Sequence, residues 1–186
     1  NSKTINFSIG DPNSTSGFLV PTFYVFAKNN VDHRTAFKTV RNASHGANLQ
    51  AVLAKQVDVA TNNTEDLTKL ENTKPELASQ VKVLWKSPLI PSDPFVWRKD
   101  LDPAVKAKIK NFVLGYAKTD ASEKAILKNI YSYGGFRESN NDQLIPIRQL
   151  ELFRDRAKAQ ADDKLAADEK TRLLADIDRK LAALGK

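Results

Sequence analysis

The chain has 186 residues, 41% of them hydrophobic, enough to bury a real core in one or two domains. It contains no Cys and two His, which excludes disulfides, thiolate metal sites and Cys nucleophiles and leaves no His-based metal cluster. The formal charge of +7 invites nucleic acid, but between Glu151 and Lys186 nine basic residues are interleaved with eight acidic ones, the pattern of a solvated helix face rather than a phosphate-tracking stripe.

Thr4 to Ile9 reads as the first strand. Asp11-Pro12-Asn13-Ser14-Thr15-Ser16-Gly17 follows, and Phe18 to Lys28 is apolar enough for a buried helix. Pro21 is tolerated near a first turn, which pulls the helix start toward Ser16 or Phe18. Phe37 to Val40 is a short strand, Ala47 to Lys55 a helix, and Val57 to Ala60 a buried strand. A short helix at Leu67 to Leu70 and a strand at Val81 to Trp85 complete a β-α alternation. Such alternation implies a parallel sheet covered by helices on both faces.

Three prolines between Pro88 and Pro94 mark a stiff crossover, and Phe95 to Arg98 is a further strand candidate. Helices are predicted over Pro103 to Tyr116, Ser122 to Ile130, Asp142 to Lys158 and Ala167 to Leu184. The last carries Leu173, Ile177, Leu181 and Leu184 on one narrow stripe. It can pack back on its own domain or zip against a second chain, and its polar remainder favours a partner helix. No apolar run is long enough to cross a bilayer. The absence of Met, even at position 1, marks the chain as processed or as an excerpt.

Four places carry chemistry, at predicted strand ends or in the crossover, where parallel sheets bind ligands. Ser14, Thr15 and Ser16 stand where a helix begins. One hydroxyl there would be a cap, whereas three in a row with free N–H groups and a helix dipole suit an oxyanion. His45 follows a strand and precedes a helix; a lone His in a polar turn is ordinarily a surface residue, but here its ring can donate to an anion. Glu65 follows a buried strand, where a carboxylate ordinarily serves the first turn of a helix, and Asp93 lies between prolines as turn residues do. Together they could grip an ammonium group or act as an acid/base pair. No nucleotide-binding lysine loop, no G-x-G-x-x-G and no G-x-S-x-G elbow accompanies them, and no metal or cofactor is expected.

The stretches Asp11 to Phe18, Ser44-His45, Val57 to Glu65, Trp85 to Pro94 and Asp142 to Arg148 resemble the phosphonate-binding proteins of bacterial ABC transporters. The resemblance implies a type II periplasmic-binding-protein fold of class α/β, with one parallel-sheet lobe, part of the other lobe and C-terminal helices. Residues 1–90 would be the second lobe, 91–160 the hinge crossover and partial first lobe, and 161–186 a C-terminal amphipathic helix. The family carries a further stretch of roughly a hundred residues ahead of the matching region. By the resemblance, Ser14, Thr15, Ser16 and His45 would hold phosphonate oxygens, and Glu65 and Asp93 the amino group of a ligand such as 2-aminoethylphosphonate. It also implies solute capture without catalysis, a periplasmic location, an inner-membrane ABC permease as partner and no nucleic acid. A homodimer through the C-terminal helix is a further expectation. The alternative is a phosphoryl-handling enzyme using His45 with Glu65 and Asp93.

Overall fold

The computed structural model describes residues 2–185, which form two compact units: residues 2–90 with 144–185, and Pro91–Gln143. In the first, three parallel strands lie in the order β2-β1-β3, with β1 (Asn6–Ile9) central, β2 (Thr39–Asn42) on one side and β3 (Val59–Ala60) on the other. Phe7 pairs with Val40 and with Val59, which aligns the three strand ends at one edge.

Alternation along β1 sorts its side chains between two layers. Phe7 and Ile9 are buried on one face with Phe26, and Phe7 stacks on Phe37 with ring centroids 4.5 Å apart. Each such buried side chain contributes about 2 kcal/mol. Ser8 points the other way and is fully buried beside Asn48 of α2 (His45–Leu53). Its hydroxyl donates to Asn48 Oδ1 at 2.5 Å and accepts from Arg41 Nε at 3.2 Å, so the polar pair is satisfied inside the layer.

The chain from β1 enters a wide helix of two i→i+5 turns, Thr15–Leu19 and Thr22–Phe26, closed by a 3-10 turn at Ala27–Asn29 and by left-handed Asn30 (φ 54°). It begins at Thr15, ahead of the sequence-based start, because Ser14 caps it. Pro21 sits between the two wide turns rather than in the first one. Leu19 and Val20 pack on Leu150 of α7 (Ile145–Ala161), and Phe23 stacks on Phe153 at 5.4 Å. Residues 144–160, grouped by sequence with the crossover, therefore fold into the first unit. α8 (Ala167–Leu184) has the predicted bounds and lies against α7 in the same chain, with Ile177 buried and Arg156 bridging to Asp178 at 2.7 Å. Leu173 of its stripe is left exposed.

Further short helices are α1 (His33–Ala36), α3 (Thr64–Thr73) and α4 (Pro75–Ala78). The expected strand at Val81 to Trp85 does not form: this stretch is irregular, and Val83, Leu84 and Trp85 are exposed. A strand requires a neighbouring ladder, and the described sheet stops at three. In the second unit, α5 (Pro103–Gly115) and α6 (Ala121–Asn129) are capped by Asp102 and Asp120. Phe95 to Arg98 is irregular there too, with Phe95 exposed and edge-to-face with Phe136 at 5.4 Å. No helix among the described residues is long and apolar enough to cross a membrane.

His33 is buried against the rings of Phe18 and Phe26, at 5.7 and 5.5 Å. Burial holds its pKa below the usual value of 6.5, outweighing the neighbouring Asp32 carboxylate. In acid the unfolded chain therefore binds a proton that the folded chain resists, so stability falls as pH drops below the ordinary His value. Thermal unfolding followed from pH 8 to pH 5 should show that decline, and His33→Phe should flatten it. An identical decline in the variant would assign it to other groups.

Candidate functional site

All three strands of the first unit end at one edge, and each leads through a short loop to a helix N-terminus. The first loop is set by a contact between two backbones. A Cβ on Gly10 would stand 2.6 Å from the Gly17 carbonyl carbon, so only glycine fits there. Gly10 N–H donates to Gly17 O at 2.9 Å, folding the hydroxyl loop back over the end of β1.

Ser14 Oγ accepts the Gly17 N–H at 3.0 Å and so caps the wide helix. The same oxygen lies 3.3 Å from His45 Nε2, and Ser16 Oγ lies 3.2 Å from that nitrogen. His45 is the first residue of α2, whose cap is Ser44. Its Nδ1 is buried without a hydrogen-bond partner. An N–H buried there unpaired would cost about 1–3 kcal/mol, which favours the tautomer with its proton on Nε2, aimed at the two hydroxyls. Both serine oxygens then accept from the imidazole, and their own protons stay available to a ligand. The hydroxyl of Thr15 and the N–H groups of Thr15 and Ser16 have no partner among the described residues. The result is a neutral donor set at the positive ends of two helices, suited to an oxyanion.

The third loop adds a carboxylate. Glu65 lies in the first turn of α3, where Asn63 is the cap, and its Oε2 accepts from the Thr64 hydroxyl at 3.3 Å. Its place on the same strand edge matches the sequence reading, and its first-turn role is also realised. Asp93 belongs to the second unit, where it is exposed in the extended proline-rich stretch. The structure thus brings Ser14, Ser16 and His45 into contact, with Thr15 between the two serines and Glu65 at the end of β3. Among the described residues, no group of three or more His, Asp or Glu side chains could hold a metal ion.

Three residues that sequence reasoning missed tie the loops together. Asn42 Nδ2 donates to Gly10 O at 2.8 Å, Thr61 Oγ1 donates to Gly17 O at 2.6 Å, and Asn62 Nδ2 donates to His45 O at 3.1 Å. Their place at strand ends was visible, but their partners 17 to 44 residues away were not.

Comparison with known proteins gives consistent results. A family model described as "ABC transporter, phosphonate, periplasmic substrate-binding protein" matches residues 2–144. The chain is 48% identical over 184 residues to the "Phosphonates-binding periplasmic protein" of Escherichia coli (strain K12), an alignment covering 99% of this chain and 54% of that protein. It superimposes with a TM-score of 0.89, at 51% identity, on the crystal structure of a binding protein component of an ABC phosphonate transporter from Pseudomonas aeruginosa, covering 100% of this chain and 61% of that one. The chain therefore spans about half the length of the curated relative that it matches.

A Cβ on Gly17 would stand 2.7 Å from His45 Cε1 and 3.0 Å from Ser14 Oγ. Gly17→Ala should therefore destabilise the fold by about 1–3 kcal/mol in denaturant unfolding, since neither the capping serine nor the ring can withdraw freely. Gly46→Ala, with nothing within 4 Å of the new Cβ, should be neutral or slightly stabilising. Equal stability of the Gly17→Ala and wild-type chains would contradict the packing described.

Proposed function

Because this chain belongs to the family of periplasmic substrate-binding proteins of phosphonate ABC transporters, we propose that it is the ligand-holding lobe of a protein that captures a phosphonate and hands it to an inner-membrane permease. The observation that carries the reading is the convergence of Ser14, Ser16 and His45 beside the free N–H groups of Thr15 and Ser16. A phosphonate has three oxygens and needs several donors, and these are supplied with no charged side chain in the contacting set.

The preferred ligand in this proposal is an aminoalkylphosphonate such as 2-aminoethylphosphonate. Glu65, at the same strand edge, would receive the ammonium group. Donors at one end and a carboxylate at the other suit a zwitterion. The periplasm is the matching location. A homodimer through α8 would have to rest on the exposed Leu173 side, because Ile177 is already covered.

The enzyme alternative loses ground on two counts. The family and the named relatives are binding proteins. In addition, His45 Nε2 faces Ser14 and Ser16 and its Nδ1 has no partner, so neither ring nitrogen is paired with Glu65.

Calorimetry on the full-length protein should show 2-aminoethylphosphonate bound much more tightly than inorganic phosphate. Thr15→Val should weaken all phosphonates alike by roughly ten-fold, the scale of one lost charge-assisted hydrogen bond. Glu65→Gln should cost aminophosphonates most and spare methylphosphonate. Equal affinity for phosphate and 2-aminoethylphosphonate would contradict the amine-recognition role.

A further inference from the structure

The neutral donors of the hydroxyl loop act together only if two helices from different parts of the chain are held in register. We infer that Thr61, with its neighbour Asn62, is the positioning element that sets this register, so that a side chain with no place in the donor set controls anion affinity. The inference rests on the anion site proposed above.

Thr61 follows β3 and is anchored at three points. Its N–H donates to Ser8 O at 3.0 Å, and its carbonyl accepts from Asn48 Nδ2 at 3.1 Å. Ser8 and Asn48 are both fully buried, so the Thr61 main chain is fixed to the most enclosed polar pair in the unit. Its hydroxyl then does two jobs, donating to Gly17 O at 2.6 Å and accepting the Gly10 N–H at 2.9 Å. One oxygen thereby ties the end of β1 to the first turn of the wide helix.

The Gly17 carbonyl thus accepts from both the Thr61 hydroxyl and the Gly10 N–H, and no α-helical donor competes, since the residue four positions on is Pro21. The Gly17 N–H is the group that Ser14 Oγ caps, so tilting that residue moves the capping hydroxyl and the free N–H groups of Thr15 and Ser16 with it. Asn62 does the corresponding work for α2, donating to His45 O at 3.1 Å while its own Oδ1 accepts the Asn63 N–H at 2.8 Å. Adjacent residues on one loop therefore hold both helix starts that converge on the site.

The test compares wild type, Thr61→Val, Thr61→Ser and Asn62→Ala in the full-length protein, titrated with methylphosphonate and with 2-aminoethylphosphonate. Valine keeps the shape of threonine and removes the hydroxyl, while the direct bond from Gly10 N–H to Gly17 O survives to support folding. Thr61→Val should bind both ligands roughly ten-fold more weakly by the same factor, at a thermal midpoint within a few degrees of wild type. Thr61→Ser should recover affinity to within about two-fold, and Asn62→Ala should weaken both ligands in parallel. Wild-type affinity in Thr61→Val, or equal losses in the valine and serine variants, would overturn the inference. Wild-type protein that binds neither phosphonate would refute the proposed function instead. Hydrogen exchange then decides the clasp by itself: faster exchange at the Gly10 and Gly17 amides in Thr61→Val supports it, and unchanged exchange overturns it.

Discussion

Gly10 and Gly17 meet backbone to backbone, at a separation that leaves no room for a side chain on Gly10. This contact lets the loop after β1 turn back on the strand instead of running away from it, and it delivers Ser14 and Ser16 to within reach of His45. If the two glycines were further apart, the wide helix would start elsewhere, and its free N–H groups would not share a pocket with the imidazole. The core supports the same arrangement from below, since Phe7 and Ile9 fix β1 against Phe26 of the wide helix and Ser8 fixes it against Asn48 of α2. The C-terminal helices add a third support, through Leu150 and Phe153 on the outer side of the wide helix.

In the proposed function the site would recognise an anion without lysine or arginine. Two helix N-termini supply the positive potential, and hydroxyls with an imidazole supply direction. Lysine or arginine would bind any anion strongly, whereas a fixed set of neutral donors rewards a ligand whose oxygens match their positions. The cost is a demand for rigidity, because each donor contributes little by itself. That demand explains the density of hydrogen bonds tying loop to loop through Asn42, Thr61 and Asn62.

Sequence displayed the local parts of this arrangement. The hydroxyl triplet after a strand, His45 at a helix start and the bounds of α8 all rest on short-range pattern and recur in the structure, although α8 packs on α7 of its own chain where the pattern favours a partner helix. Cap and anion donor are not exclusive roles, because Ser14 caps Gly17 and faces His45 with one oxygen. Long-range features were hidden. Thr61 looked like any loop threonine, since its partners Gly10 and Gly17 are 51 and 44 residues distant. Pro21 read as a constraint on where the helix begins, while in the fold it stands between the two wide turns. Val81 to Trp85 has the composition of a strand, but composition does not supply a neighbour to pair with, and its large side chains remain exposed.

The central claim is that the turn from Ser14 to Gly17 is an anion receptor preorganised by its backbone. Amide chemical shifts and exchange rates of the full-length protein, followed by NMR during titration with methylphosphonate, test it most directly. The account predicts that the Thr15 and Ser16 amides shift strongly and become protected, while Gly17, already bonded to Ser14, changes little. Saturable binding that leaves Thr15 and Ser16 unperturbed would contradict it.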